Sequence, residues 1–129
     1  IVVRVPFKWL YPTGDAQDSA PNERKFARYY DWAEVLAGDW HFIKRYAPAS
    51  LAGKTVLTNT TTADDVEFLR QRGASALITT TPRFQGRSLG TNLLEATFVA
   101  MEGASGELSP ERYQELIRDA RLEPLRMEL

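Results

Sequence analysis

Three clusters of hydroxyl, amide and guanidinium side chains each follow a stretch of strand-like composition or a turn. They are Thr58-Asn59-Thr60-Thr61-Thr62, Thr79-Thr80-Thr81-Pro82-Arg83 and Arg87-Ser88-Leu89-Gly90-Thr91-Asn92. Hydroxyls and amides donate to oxygen, and a guanidinium fork matches a planar oxyanion in two parallel bonds. Backbone N–H groups at a helix start add the positive end of the helix dipole. The chemistry these types suit is the binding of a phosphate, a carboxylate or another anionic oxygen. The candidate contacts are Thr58, Asn59, Thr60, Thr80, Thr81, Arg83, Arg87, Ser88, Thr91 and Asn92. The same residues have an ordinary structural use: serine and threonine cap helices, threonine forms strands well, and Gly86 and Gly90 suit turns.

His41 is the one histidine, and its side chain is the only one whose unperturbed pKa allows proton exchange near neutrality. It is the candidate catalytic residue, with a structural histidine as the alternative. Asp39, Asp64 and Asp65 supply carboxylates, but the last two sit where a helix start calls for acids.

Composition removes whole classes of function. The chain has no cysteine, which excludes disulfides, thiolate catalysis and sulfur-ligated zinc, and one histidine excludes multi-histidine metal clusters. Against 17 acidic side chains stand 16 basic ones, a net charge of -1, so no broad positive field favours nucleic acid. No apolar run approaches the roughly 18 residues that span a bilayer, so a cytoplasmic chain without a membrane partner is expected. Neither GxGxxG nor GxxxxGK[ST] occurs.

The elements that must position the clusters follow from pattern. IVVRV at the front reads as a strand, followed by an aromatic stretch to Pro12 and a polar loop over 13–25. Phe26, Tyr29 or Tyr30, Ala33 and Leu36 recur at helical spacing and predict a helix over 24–37, closed by Gly38. Asp39 to Tyr46 reads as a strand with Trp40 and Phe42 inward and Ile43 as a further candidate for the core. Lys54–Thr58 and Ala74–Thr79 predict parallel strands flanking a helix that starts at Thr62, with Asp65 in the capping position, and ends at Gly73. Residues 83–91 read as a polar loop. Leu93, Leu94, Ala96, Thr97, Val99 and Ala100 predict a largely buried helix, and Ser109-Pro110-Glu111 starts the last one, with Tyr113, Leu116, Ile117 and Ala120 inward. The tail from Leu122 is too short to assign.

At 129 residues the chain is one domain by length. The expected architecture is a single Rossmann-like α/β domain over 1–129: a three-layer sandwich with a mostly parallel sheet of about four strands. In such sheets ligands bind beyond the carboxyl ends of the strands, which is where the first two clusters fall. The opening IVVRVPF, with no initiating methionine, reads as a piece of a longer protein. Phe7, Trp9, Tyr11, Tyr29, Tyr30, Trp32, Trp40, Phe42 and Tyr46 crowd the first third, for core packing or for a homodimer surface.

Several of these segments together carry a resemblance. Phe7 to Pro12, Ala37 to Tyr46, Gly53 to Thr60, Thr79 to Pro82 and Gly86 to Asn92 resemble a family of bacterial proteins often labelled quinate 5-dehydrogenase. The similarity covers most of residues 7–102. Those proteins are longer, so the chain looks like their C-terminal portion. The label implies NAD or NADP as cofactor and oxidation of the hydroxyl at carbon 5 of a polyhydroxylated ring acid. Within that activity, position and chemistry suggest Arg83 or Arg87 for the substrate carboxylate and Thr58, Asn59 and Thr80 for ring hydroxyls. His41 would then be the proton acceptor.

Two readings follow. One is a domain that binds an anionic small molecule, with a place in an NAD(P)-dependent oxidoreductase. The other is a non-catalytic ligand-sensing or homo-oligomer assembly domain.

Overall fold

In the computed structural model the described residues are 23–129, with side chains from Phe26 onward. The strand expected at Ile1–Val5, the aromatic stretch to Pro12 and most of the loop over 13–25 lie outside them. So do Phe7, Trp9 and Tyr11.

The elements run α1 (Glu23–Trp32), β1 (Val35–Ala37), α2 (Trp40–Tyr46), β2 (Thr55–Thr58), α3 (Ala63–Gln71) and β3 (Ala76–Thr79). A short hairpin, β4 (Arg83–Phe84) and β5 (Arg87–Ser88), leads to α4 (Thr91–Met101), α5 (Pro110–Asp119) and β6 (Leu125–Glu128). The main sheet has the order β1-β2-β3-β6; β1, β2 and β3 are parallel and β6 runs antiparallel to β3. The architecture is the mixed α/β, Rossmann-like sandwich with a mostly parallel four-stranded sheet that the pattern predicts.

Both parallel connections cross over in the same direction along the sheet, and right-handed crossovers then put α2 and α3 on one face. Trp40 of α2 meets Phe68 of α3 there, edge to face, with ring centroids 5.9 Å apart. The sheet offers that face one side chain from each strand in a single row: Leu36, Val56, Leu77 and Met127 are register partners. Trp40, Ile43, Ala47, Leu51, Val66 and Leu69 close over them. Each large aliphatic side chain so buried contributes roughly 1.5–3 kcal/mol. Leu57 and Ile78, on the other face, are half-buried.

Local chemistry sets the ends of α3. Thr62 Oγ1 accepts from the Asp65 N–H at 3.3 Å, while Asp65 Oδ2 accepts from the Thr62 N–H at 2.9 Å, a complete capping box. At the other end Gly73 takes φ +76, where a side chain would be strained.

Five expectations need correction. Of the inner face expected for α5, Leu116 is buried and Tyr113 half-buried, but Ile117 and Ala120 are exposed. Asp39–Tyr46 is not a strand: Asp39 caps the short helix α2 by accepting from the His41 N–H, and Trp40 and Ile43 are buried at helical spacing while Phe42 is exposed. The helix expected over 24–37 stops at Trp32, and Val35–Ala37 peels away to pair with Thr55–Leu57. Residues 83–91 contain a hairpin whose central residues Gln85 and Gly86 both have positive φ, the type I′ geometry that fits strand twist. The helix α4, expected to be largely buried, has Phe98 as its one buried residue. The unassigned tail becomes β6, a strand that needs β3 beside it to exist.

Candidate functional site

The carboxyl ends of the parallel strands present Gly38-Asp39, Asn59-Thr60 and Thr80 along one rim. The fold brings the three predicted clusters to this rim. Thr61 and Ser88 join the first to the third: the Thr61 N–H donates to Ser88 Oγ at 2.6 Å, the two hydroxyl oxygens lie 2.9 Å apart, and the Ser88 N–H donates to Thr61 O at 2.8 Å. The second cluster is tied in by the Thr81 hydroxyl, which donates to Leu89 O, and by the Leu89 N–H, which donates to Pro82 O at 3.3 Å.

These ties divide the ten candidate contacts into two sets. Thr58, Thr81 and Ser88 are buried, and their hydroxyls are spent on internal bonds; that of Thr58 donates to Gly38 O at 2.7 Å. Arg83 is half-buried, with its guanidinium on Gly86 O and 3.9 Å from Met127 Sδ. These residues hold the loops together. Asn59 and Thr60 are half-buried, whereas Thr80, Arg87, Thr91 and Asn92 are exposed. His41 is exposed in the first turn of α2, with its backbone N–H on Asp39 Oδ1 at 2.9 Å.

Thr60 carries the local backbone strain. Its φ of +50 is a region a β-branched residue rarely enters, at a cost of order 1–3 kcal/mol. In this conformation Thr60 Oγ1 approaches Gly90 so closely that a Cβ on Gly90 would stand 3.4 Å from it. Thus Thr60 lies against the start of α4.

That start differs from the start of α3. The first turn of α3 holds Asp64 and Asp65, which repel an anion, and its N–H groups are served by the capping box. Gly90 precedes α4 with no side-chain cap, and no acid occupies the first turn. The N–H groups of Thr91 and Asn92 begin the helix beside Asn59 and Thr60, an arrangement that sequence reasoning had placed in the right loop without recognising the missing cap. A glycine directly before an apolar helix was the available signal. One further polar atom is unspent nearby in sequence: Thr79 Oγ1, on a side chain 1% exposed, has no hydrogen-bond partner.

Asp65 organises the helix side of the rim. Its carboxylate accepts from Lys44 Nζ at 2.9 Å and from the Thr62 hydroxyl at 2.8 Å, besides the Thr62 N–H. Burial alone would raise its pKa, but hydrogen bonds from Lys44, from the Thr62 backbone and hydroxyl and from Trp40 together hold it below the ordinary carboxylate value. This is a structural carboxylate: every acceptor position faces a donor of its own fold.

A second concavity of about 270 Å³ opens between α1, α2 and the end of β1. Phe26, Tyr29, Tyr30, Phe42 and Tyr46 line it with Gly38-Asp39. Of the aromatics singled out in the sequence, Trp40 is core, Trp32 is 84% exposed, and Phe26 packs edge-on against Tyr46 at 4.7 Å.

A dinucleotide does not fit the βα turns after β1 and β2. After β1 the turn has Gly38 alone, and the Asp39 carboxylate already occupies the start of α2; after β2 the acids of α3 face the same position. A pyrophosphate would meet negative charge at both.

No helix among the described residues is long and apolar enough to cross a membrane. Residues 1–129 match the family described as "Domain of unknown function (DUF8754)", and the chain belongs to that family. No curated protein and no solved structure matches it.

Proposed function

We propose that this member of the family binds an anionic small molecule at the carboxyl rim of its sheet. The anion sits on the first N–H groups of α4, and the amides of Asn59 and Asn92 and the Thr91 hydroxyl supply the remaining polar contacts, while the Thr60 hydroxyl donates to Asn59 Oδ1 at 3.3 Å and holds that amide in place. The observation that carries this reading is the uncapped, acid-free start of α4 held against Thr60. Arg87, exposed on the adjoining hairpin, adds a positive charge within the same loop.

A polyhydroxylated ring acid is the substrate class implied by the resemblance to the proteins labelled quinate 5-dehydrogenase. Such a molecule has one carboxylate for the helix start and several hydroxyls for the amide and hydroxyl side chains. In that reading the chain is part of an NAD(P)-dependent oxidoreductase, and His41 is its proton acceptor. The nicotinamide cofactor then has its seat outside the βα turns described above, and anion binding stands without a hydride step.

Isothermal titration of the 129-residue chain with phosphate, quinate and shikimate tests the binding. Asn59→Ala and Asn92→Ala are expected to weaken the best of these ligands by about tenfold to a hundredfold, the worth of roughly one hydrogen bond to a charged group, with an unchanged melting temperature. Equal affinity in both variants and the parent would sink the site.

A further inference from the structure

We propose that the aromatic hollow between α1, α2 and the end of β1 binds a free aromatic α-amino acid, with the ring inside and the zwitterionic head at the mouth. The inference is independent of the anion site.

The lining selects a ring. Phe26, Tyr29, Tyr30, Phe42 and Tyr46 surround about 270 Å³, with the buried Ile43 among them. Drug-sized ligands fill roughly 300–1,000 Å³, so this hollow suits a molecule with one ring system. The Tyr30 hydroxyl is spent on Ile43 O at 3.1 Å, which leaves Tyr30 to the hollow as an apolar ring. Phe26 and Tyr46 already meet edge to face at 4.7 Å. A further ring adds contacts of the same kind, which contribute beyond the area they bury and which an aliphatic side chain lacks. Tyr29 is 53% and Phe42 38% exposed, so two of the five rings stand at the mouth.

The mouth carries both signs of charge. Asp39, exposed at the end of β1, brings a carboxylate whose Oδ1 accepts from the His41 N–H at 2.9 Å. From α1, the guanidinium of Arg28 lies over the Tyr29 ring, with Cζ 4.6 Å from the centroid and Nη2 donating to the phenol oxygen at 2.6 Å. Arg28 is exposed and forms no ion pair with a described residue. Arg45 holds a similar place over Tyr46, at 5.8 Å.

Charge complementarity selects the head group. A simple cation would be drawn to Asp39 and repelled by the guanidiniums, and a simple anion would meet the reverse. An α-amino acid, with ammonium and carboxylate on one carbon, satisfies both. The backbone leaves this recognition to side chains, because the Gly38 N–H donates to Leu57 O at 3.1 Å and Gly38 O accepts from the Thr58 hydroxyl at 2.7 Å. Asp39 therefore takes the ammonium and Arg28 the carboxylate.

Isothermal titration of the 129-residue chain with phenylalanine, phenylpropionate, phenethylamine and alanine tests each part. Phenylalanine is expected to bind. The other three lack the ammonium, the carboxylate or the ring, and each is expected to bind about tenfold more weakly, the low end for a charged hydrogen bond because the mouth is exposed. Asp39→Asn keeps a good cap for α2 and removes the charge. It should weaken phenylalanine and phenethylamine about tenfold and leave phenylpropionate no weaker. Arg28→Gln should weaken phenylalanine and phenylpropionate and spare phenethylamine. Altered packing alone would move the three ring ligands together in either variant. No binding of phenylalanine up to about 10 mM, equal affinity for phenylalanine and its fragments, or a loss shared alike by all three ring ligands overturns the proposal.

Discussion

Thr61 and Ser88 are 27 residues apart in sequence and 2.9 Å apart at their hydroxyl oxygens, both fully buried. The pair is the latch that fixes the hairpin, and with it the start of α4, to the loop after β2. Replacing Ser88 by alanine keeps the volume nearly constant but leaves the Thr61 N–H and hydroxyl without their partner. The expected cost is about 1–3 kcal/mol. In thermal unfolding this is a fall of several degrees. Ser88→Ala combined with Thr61→Ala should lose less than the sum of the two single variants, since both remove the hydroxyl–hydroxyl bond, while only Ser88→Ala also strips the Thr61 N–H of its acceptor; strict additivity would show that the latch is not one unit.

A pH effect follows from Asp65. Its native pKa lies below the ordinary value, so its carboxylate stabilises the fold fully above the unfolded pKa of about 4. That contribution is lost as pH falls through the lower, native value. Asp65→Asn should therefore destabilise the chain at neutral pH and flatten the acid limb of the stability curve. Lys44→Met is expected to do less harm, because Lys44 is 45% exposed and solvent screens its charge. Denaturant melts between about pH 2 and pH 7 compare the variants; parallel curves for Asp65→Asn and the parent would remove Asp65 from the linkage.

The sequence made legible whatever is decided within one turn or one strand of the residue concerned. The Thr62–Asp65 box, the Gly73 stop and the Ser109-Pro110 start all stand where local chemistry placed them. So does the convergence of the threonine clusters at the strand ends. What failed was set by distant partners. Leu36 continues the helical spacing of Phe26, Tyr29 and Ala33, and its strand conformation comes from pairing with Val56. Aromatic and β-branched residues gave Trp40 to Ile43 the look of a strand, but the Asp39 cap and the fit of Trp40 and Ile43 into the core make a helix. The apolar α4 suggested burial, since nothing local distinguishes a helix that packs inward from one whose apolar side chains stay exposed. In the site, the hydroxyls of Thr58, Thr60, Thr81 and Ser88 cannot be told from that of Thr91 by residue type; only the folded loops decide which donors are already used.

Tyr30 supplies a second pH dependence, of opposite sign. Burial, with the neighbouring Tyr46, pushes its phenol up to about 12, and its hydroxyl donates to Ile43 O at 3.1 Å. A raised native pKa means that the contribution is complete below the unfolded value of about 10 and is lost as pH rises toward 12. Tyr30→Phe is expected to cost about 1 kcal/mol at neutral pH, the worth of one hydrogen bond, and to lessen the loss of stability above pH 10. Absorbance titration of the phenolates near 295 nm should show one late-titrating tyrosine missing from the variant. An unchanged titration would place the late phenol elsewhere.

Gly90→Asp separates binding from stability by moving them in opposite directions. Gly90 has φ -71 and ψ 144, an extended conformation open to any residue and typical of a helix cap, but it brings no side chain to the helix start. An aspartate there would accept from the first-turn N–H groups of α4 and place its charge at the positive end of the helix. Over glycine, itself a tolerated cap residue, such a cap gains about a few tenths of a kcal/mol. The new Cβ stands 3.4 Å from Thr60 Oγ1, close enough that Thr60 must give slightly, which trims the gain without reversing it. The same carboxylate occupies the position proposed for the anion and repels it. The expected result is a melting temperature equal to or above the parent's, with phosphate affinity lowered about tenfold or more. Gly90→Ala fills the same space without charge and should keep most of the binding. A stabilised Gly90→Asp chain that still binds phosphate as the parent does would place the anion away from α4 while leaving the helix-cap argument intact.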